Sequence, residues 1–272
     1  MKNQWMMCAF VVLTAGMGAA TQAASPAAYS DRDWAAVLER FVDAEGMVDY
    51  AGLKTQRGLL DAYAATLEAT DPKVYDGWKE QEKIAFWINA YNALTLRAII
   101  DHHPIAPTPG NEAFPKNSIR QIPGVWDRRT APVMGRALTL DRIENEILRA
   151  RFKEPRIHVA LVCAAVSCPP LRAEPYRGST LDAQLDDQAR RFLANPQRFQ
   201  IDRAKNEVRA SEIFDWFSGD FLPGATGPAA KRNSLAAFVS RYVGEADRKF
   251  LAGTSWTVRY VPYDWTLNEQ KK

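Results

Sequence analysis

The segment 79–100 constrains the fold of this chain more than any other. From Ile84 onward its residues are apolar almost all the way round a helix, and a helix of that kind has no face to offer to water. The sequence therefore predicts a central buried helix over about 80–100. Amphipathic helices predicted over 32–43 and 53–68, with apolar residues at helical spacing, supply faces that can cover it.

The remaining segments mix short strands with helices. Helices are predicted over 142–152, 181–194, 211–219 and 233–243, and strands in a hairpin at 130–140, over Ile157–Cys163, around Lys205 and over 256–261. Residues 101–128 contain five prolines and are predicted to form a long functional loop. Since strands and helices do not alternate regularly, we predict an α+β fold, a single mixed domain whose central helix packs on a small sheet. Such a domain is expected to unfold as one cooperative unit.

Residues 1–23 have the pattern of a secretory signal peptide. Lys2 precedes an apolar stretch from Met6 to Ala20, and small residues stand before Ala24. A membrane anchor requires about 20 uninterrupted apolar residues, which no segment of the chain provides. We therefore expect cleavage before Ala24, a single domain over 24–272, and a periplasmic or secreted protein without a membrane span.

The charge pattern and the missing motifs exclude several function classes. The 35 basic and 32 acidic residues give a net charge of +3, and no basic run is present. A nucleic-acid-binding protein needs a concentrated basic face, so no nucleic-acid partner is expected. The sequence contains no glycine-rich phosphate loop, no Gly-x-Ser-x-Gly elbow and no His-Glu-x-x-His motif, and no cofactor is predicted.

The candidate chemistry is concentrated in His158-x4-Cys163-x4-Cys168. If 157–163 is a strand, side chains alternate along it, so Cys163 points away from the face of His158. Cys168 lies beyond the strand, where the chain must turn before Pro169, and is the thiol expected to reach His158. An adjacent imidazole stabilises a thiolate nucleophile. The predicted catalytic residues are thus Cys168 and His158.

A third residue should orient the imidazole, and Glu144 and Asn89 are the candidates because both stand on predicted helices. Each has a structural alternative. Glu144 follows Asp141 by three residues, as in a helix cap, while Asn89 and Asn92 share one stripe of the buried helix and can bond otherwise unpaired backbone.

The two cysteines also have alternatives. An oxidising compartment permits a Cys163–Cys168 disulfide, and Cys163 can equally be a small buried side chain. Metal ligation is not predicted, because His158 and the two cysteines supply three ligands at most and structural zinc usually takes four. The adjacent His102 and His103 are interpreted as solvated loop residues.

Two aromatic stretches, 214–217 and 263–265, each contain an aspartate. They can line a groove for a substrate or act as core anchors with a polar handle. On the first interpretation, Asn92, Asp215 and Trp216 are predicted to contact a small-molecule or peptide substrate.

Several motifs, in order from about 46 to 268, resemble the domain-of-unknown-function family 547. They are Val48-Asp49-Tyr50, residues 86–94 (FWINAYNAL), Ile143-Glu144 with Ile147-Leu148-Arg149, residues 156–161 (RIHVAL), residues 163–171 (CAAVSCPPL), residues 214–217 (FDWF) and residues 263–268 (YDWTLN). The chain departs from the family pattern at Asn145, where a histidine is expected after Ile-Glu. The resemblance implies no particular reaction.

Two function classes remain. The first is an exported cysteine-dependent acyl-transfer enzyme, a hydrolase or transferase acting on a peptide or amide in the cell envelope. It is analogous to papain-like and transglutaminase-like enzymes, although the cysteine follows the histidine here and precedes it there. The second is a non-catalytic binding or interaction module in which Cys163–Cys168 is a structural disulfide.

Overall fold

The computed structural model describes residues 29–224 and 227–271, so the predicted signal peptide lies outside the described residues. The α-helices are α1 Arg32–Phe41, α2 Tyr50–Thr55, α3 Gly58–Ala69, α4 Pro72–Asp76, α5 Glu80–His102, α6 Leu181–Ala194, α7 Ile213–Trp216, α8 Ser218–Phe221, α9 Gly227–Val239 and α10 Glu245–Ala252. A π-helix spans Arg142–Phe152, and 3₁₀ helices span Ile119–Gln121 and Pro155–Val159. The strands are β1 Ala131–Val133, β2 Arg136–Leu138, β3 Phe199–Asp202, β4 Glu207–Ser211 and β5 Thr257–Val261. The protein is therefore α+β, as predicted.

The long helix α5 lies at the centre of the larger of two hydrophobic cores, as its apolar circumference predicts. Its main neighbours are α2, α3, the π-helix and α6. The β1–β2 hairpin contributes Val133 and Leu138 to the same core, and its two-residue turn has positive φ at Met134 and Gly135. Helices are thus the main neighbours of α5, and residues of the hairpin and of loops, such as Ile122 and Leu161, complete the same core.

The predicted helix over 53–68 is two helices in the structure. Asp49 caps α2 by accepting a hydrogen bond from the amide of Gly52. After Thr55 the chain leaves the helical path at Gln56, and α3 begins at Gly58. The predicted helix over 211–219 is likewise divided, into α7 and α8, which meet at Phe217.

A second core forms around the three-stranded sheet, whose strand order is β3-β4-β5. β3 and β4 pair antiparallel, as the predicted pair around Lys205 requires, and β4 and β5 pair parallel with Val208 opposite Val258. Aromatic and aliphatic side chains from α6, α7, α8, α9 and α10 cover this sheet. Within the described ranges, no helix combines the length and the apolar run needed to cross a membrane.

The predicted strand over Ile157–Cys163 is wrong. Residues Pro155–Val159 form a 3₁₀ helix, and the chain then continues as irregular loop through Cys163. The segment is buried, as its apolar run indicates, but a buried run without a period does not distinguish a strand from another buried conformation. Its backbone is satisfied by a side chain instead of a strand partner: Asn92 donates to the carbonyl of Ala160 and accepts from the amide of Val162.

The segment 262–270 connects two distant parts of the chain. One of these parts is residues 160–171, called the cysteine loop here. The amide of Val166 donates to the carbonyl of Thr266, and the amide of Asn268 donates to the carbonyl of Ala164. The segment also bonds the turn before α2, where the amide of Val48 donates to Asn268 and the hydroxyl of Tyr50 donates to the Asn268 side chain at 2.7 Å. The segment therefore fixes the cysteine loop against residues 46–50.

Candidate functional site

Six segments meet at a cavity of about 190 Å³. They are α5, the loop between α5 and β1, the π-helix, the segment 158–169, α7 with the residue that follows it, and the segment 262–270. Glu144, His158, Cys163 and Cys168 all line this cavity. Most of its remaining wall is aromatic, formed by Tyr91, Trp126, Trp216, Phe217, Tyr263 and Trp265.

His158 is held in one orientation by contacts on two sides. Its Nε2 lies 2.7 Å from Oδ2 of Asp220, and its ring stacks on Phe217 with centroids 3.9 Å apart. Burial lowers the pKa of His158, although Asp220 opposes this effect. Burial alone would raise the pKa of Asp220, but hydrogen bonds from His158 and Arg149 outweigh it and hold this pKa well below its ordinary value. Because a carboxylate only accepts hydrogen bonds, Nε2 carries the proton and Nδ1 is the basic nitrogen.

The π-helix supplies the second support of Asp220. Arg149 donates to both carboxylate oxygens of Asp220 and to Oδ1 of Asn145, and Asn145 donates to Asp141 at 2.7 Å. The residue that departs from the family pattern thus orients Arg149 and, through it, the carboxylate that holds His158.

The two cysteines are joined: their sulfur atoms lie 2.07 Å apart, which is disulfide distance. The turn between them passes through Ala164, whose φ of 58° lies in the left-handed region. Cys168 is buried and Cys163 is half-buried. The strand prediction implied a buried Cys163 and a more exposed Cys168. The structure shows the reverse, because the predicted strand that would bury Cys163 does not form.

Two hydrogen-bond donors converge on the sulfur of Cys168. The amide of Cys163 lies 2.9 Å from Cys168 Sγ, and the hydroxyl of Tyr263 lies 3.2 Å from it. The same hydroxyl is 3.3 Å from Cys163 Sγ. Donors to sulfur favour its thiolate form, so the surroundings stabilise a charge on Cys168 if the bond is reduced.

Glu144 faces the same cavity from the π-helix and is hydrogen-bonded by Tyr91, which in turn accepts a hydrogen bond from Trp126. Burial raises the pKa of Glu144 to about 7, and the bond from Tyr91 opposes this only in part. A carboxyl group with that pKa can exchange a proton near neutral pH.

The structure brings His158, Glu144, Cys163, Cys168 and Trp216 to one cavity, but Glu144 does not orient the imidazole. The residue in contact with Nε2 is Asp220, which lies 62 positions away in sequence and outside every motif that the sequence singled out. The Phe-Asp-Trp-Phe stretch made Asp215 the candidate, but the aspartate that contacts His158 lies five residues later. The other cavity residues that were not singled out from the sequence include Arg120 and Trp126. Tyr263 lies in the aromatic stretch 263–265, which was predicted as a possible groove lining.

Neither Asn89 nor Asn92 lines this cavity. Asn89 is buried, bonds the backbone of Tyr176 in both directions and accepts from Trp34. It therefore cannot orient His158, and the expected catalytic contact is not made. Asn92 is buried, and its amide group bonds backbone on both sides. A substrate does not reach it, and its structural alternative describes it correctly.

Asp215 does not join its neighbour Trp216 at the cavity. Its side chain pairs with Lys231 and lines a different hollow beside β5. Trp216 is 45% exposed and packs on Tyr263 with centroids 4.8 Å apart. Of the two, only Trp216 is therefore placed to contact a ligand in this site.

His102 ends helix α5 and His103 follows it, and each of these histidines has a protein partner. His102 Nδ1 lies 2.8 Å from the carbonyl of Ala98, and His103 Nε2 lies 2.7 Å from Glu269. Across the described part of the chain, no three histidine, cysteine or acidic side chains gather closely enough to hold a metal ion.

Comparison with known proteins agrees with the motifs. Residues 75–193 match the family model described as "Protein of unknown function, DUF547", a range that includes Glu144, His158 and both cysteines. No curated protein and no solved structure matches the chain significantly. The resemblance inferred from the motifs is thus confirmed over residues 75–193, where the chain is similar to the DUF547 family.

Proposed function

We propose that this protein is an exported cysteine-dependent acyl-transfer enzyme, a hydrolase or transferase acting on a peptide or amide in the cell envelope. One observation carries the proposal: His158, with Nε2 bound to Asp220, lines the same aromatic cavity as both cysteines. A nucleophile, a base and a group that orients the base are the parts that such a mechanism requires.

Cys168 is the proposed nucleophile, because the amide of Cys163 and the hydroxyl of Tyr263 both point at its sulfur. The cysteines must first be reduced: a dithiol donates two electrons to the Cys163–Cys168 bond, becomes a disulfide itself and leaves two thiols. The lowered pKa keeps His158 neutral near pH 7, so Nδ1 can accept the thiol proton.

The transfer then proceeds in two steps. Cys168 Sγ forms a bond to the substrate carbonyl carbon, the carbon–nitrogen bond breaks, and the imidazolium returns its proton to the departing amine. Water or an acceptor amine next attacks the thioester, loses its proton to His158 and releases the thiol of Cys168. Asp220 stabilises the imidazolium that forms transiently in each step.

The test uses p-nitrophenyl acetate as a generic acyl donor with the dithiol-reduced protein. We expect a burst of p-nitrophenol and an acetyl group on the peptide that contains Cys168. Cys168→Ser and His158→Ala should abolish the burst, and His102→Ala, which changes a histidine outside the cavity, should leave it intact. Absence of acetylation in the reduced wild-type protein would refute the proposal.

A second candidate is the non-catalytic envelope module, supported by the 2.07 Å separation of the two sulfur atoms. The redox state in protein taken from its native compartment separates the two candidates. A Cys168 thiol that alkylates rapidly favours the enzyme, whereas a quantitative Cys163–Cys168 bond that mild dithiols leave intact in the folded protein favours the module.

A further inference from the structure

Arg120 lies within the 3₁₀ helix Ile119–Gln121 of the proline-rich loop, and its side chain lines the cavity. Its guanidinium carbon lies 4.4 Å from the ring centroid of Phe114, 5.1 Å from that of Trp265 and 5.4 Å from that of Trp126. Three aromatic rings therefore surround the cation and hold it in place. Such contacts engage the guanidinium face and do not use its N–H groups.

The guanidinium of Arg120 lacks the carboxylate partners that Arg156 and Arg172 have. Arg156 pairs with three carboxylates, and Arg172 pairs with two. Within residues 29–224 and 227–271, no side chain or carbonyl accepts a hydrogen bond from the Arg120 guanidinium. Burial lowers its pKa and no nearby charge raises it. Half-burial removes part of the hydration of this cation, and a bound anion would replace the lost water contacts.

The cavity indicates which anion fits. Arg120 is the only lysine or arginine among the described residues that line it, and the planar fork of one guanidinium matches one carboxylate. A phosphate dianion would carry a second charge toward Glu144 on the same wall. The volume of about 190 Å³ suits a single small residue and excludes a longer segment inside the cavity.

We propose that Arg120 binds a carboxylate group of the ligand, so that this cavity takes a small residue with a free carboxylate. In combination with the proposed function, on which this part rests, the substrate is a peptide or amide whose terminal carboxylate lies against Arg120. The scissile carbonyl is then directed toward Cys168 and His158, and the indole rings of Trp216 and Trp265 contact the apolar part of the residue.

The test measures binding alone, with N-acetylalanine and its neutral counterpart N-acetylalanine amide as probes. Three tryptophans line the cavity, so indole fluorescence reports occupancy during titration. The wild-type protein should bind the acid at least about tenfold more tightly than the amide, as expected for a charge-assisted hydrogen bond in a shielded site. Arg120→Gln should remove this preference for the acid, and Arg120→Lys should keep part of it. The control variant is Arg128→Gln, which should keep the whole preference, because Arg128 lies in the same loop but its side chain is 72% exposed.

Equal affinity of the wild-type protein for acid and amide would overturn the inference without any variant. It would also fail if Arg120→Gln, folded by its circular dichroism and melting temperature, kept the preference for the acid. Inorganic phosphate binding more tightly than N-acetylalanine and depending on Arg120 would replace the carboxylate with a phosphoryl group. All titrations use the oxidised protein, so carboxylate binding can succeed even if acyl transfer does not occur.

Discussion

Replacing Glu144 by glutamine should make the free energy of unfolding less dependent on pH. Burial raises the pKa of Glu144 from 4.5 to about 7, so between these values the folded protein holds a proton that the unfolded chain has released. The unfolded state then binds fewer protons than the native state, and the stability of the wild-type protein falls as the pH rises through this window. Glutamine mimics the protonated carboxyl and has no such penalty.

The size of the effect follows from the two pKa values. A shift from 4.5 to about 7, at about 1.4 kcal/mol for each pKa unit, corresponds to about 3 kcal/mol. Glu144 is half-buried and lines the cavity, so solvent screening reduces the expected effect to about 2 kcal/mol. The difference between variant and wild type should be small near pH 4.5 and complete above pH 7, the values of the unfolded and folded pKa.

Urea denaturation of both proteins across this pH range measures the difference directly. Glu68→Gln is the matched control, because Glu68 is an exposed glutamate on α3, and its curve should parallel that of the wild type. If the curves for Glu144→Gln and wild type stay parallel within about 0.5 kcal/mol from acid to neutral pH, the carboxyl is not shielded as described.

Three further outcomes are expected. Asn92→Leu should lower the free energy of unfolding by about 2–5 kcal/mol, because it leaves one buried carbonyl and one buried amide unpaired; urea denaturation showing a loss under about 0.5 kcal/mol would contradict this. Asp220→Asn should slow alkylation of reduced Cys168 near neutral pH, because Asp220 raises the pKa of His158. The variant should also be less stable than the wild type, and this difference in the free energy of unfolding should fade as the pH falls below 3.8, the ordinary pKa of the lost carboxylate. Calorimetry should show one transition, because Tyr263 packs against both hydrophobic cores, and two separated transitions would argue against a single domain.

The helices could be predicted from the sequence because their apolar spacing is a local signal. The predicted 181–194 helix coincides with Leu181–Ala194, and the buried helix α5 extends the predicted 79–100 by only two residues. The predicted strand at 157–163 was wrong for a physical reason. The apolar composition of the segment indicates that it is buried, but it does not indicate which group hydrogen-bonds its backbone. That group is the side chain of Asn92, about 70 residues earlier.

The site was predictable in part for the same reason. His158 and the two cysteines are close in sequence, so their spacing drew attention to them. Asp220 reaches His158, and Arg120 reaches the cavity, only through the folding of the chain. Neither residue stands in a motif that distinguishes it from a surface charge. Which carboxylate meets an imidazole depends on tertiary contacts that no local pattern encodes.

The segment 262–270 has a consequence for how the protein acquires its site. It supplies Tyr263 and Trp265 to the cavity and bonds residues near 48 through contacts separated by 218 positions. Contacts between residues so far apart can form only after the chain between them has been made. A chain emerging from the ribosome therefore lacks a complete cavity until this segment docks. The complete cavity is thus confined to molecules whose last residues have been made and have folded.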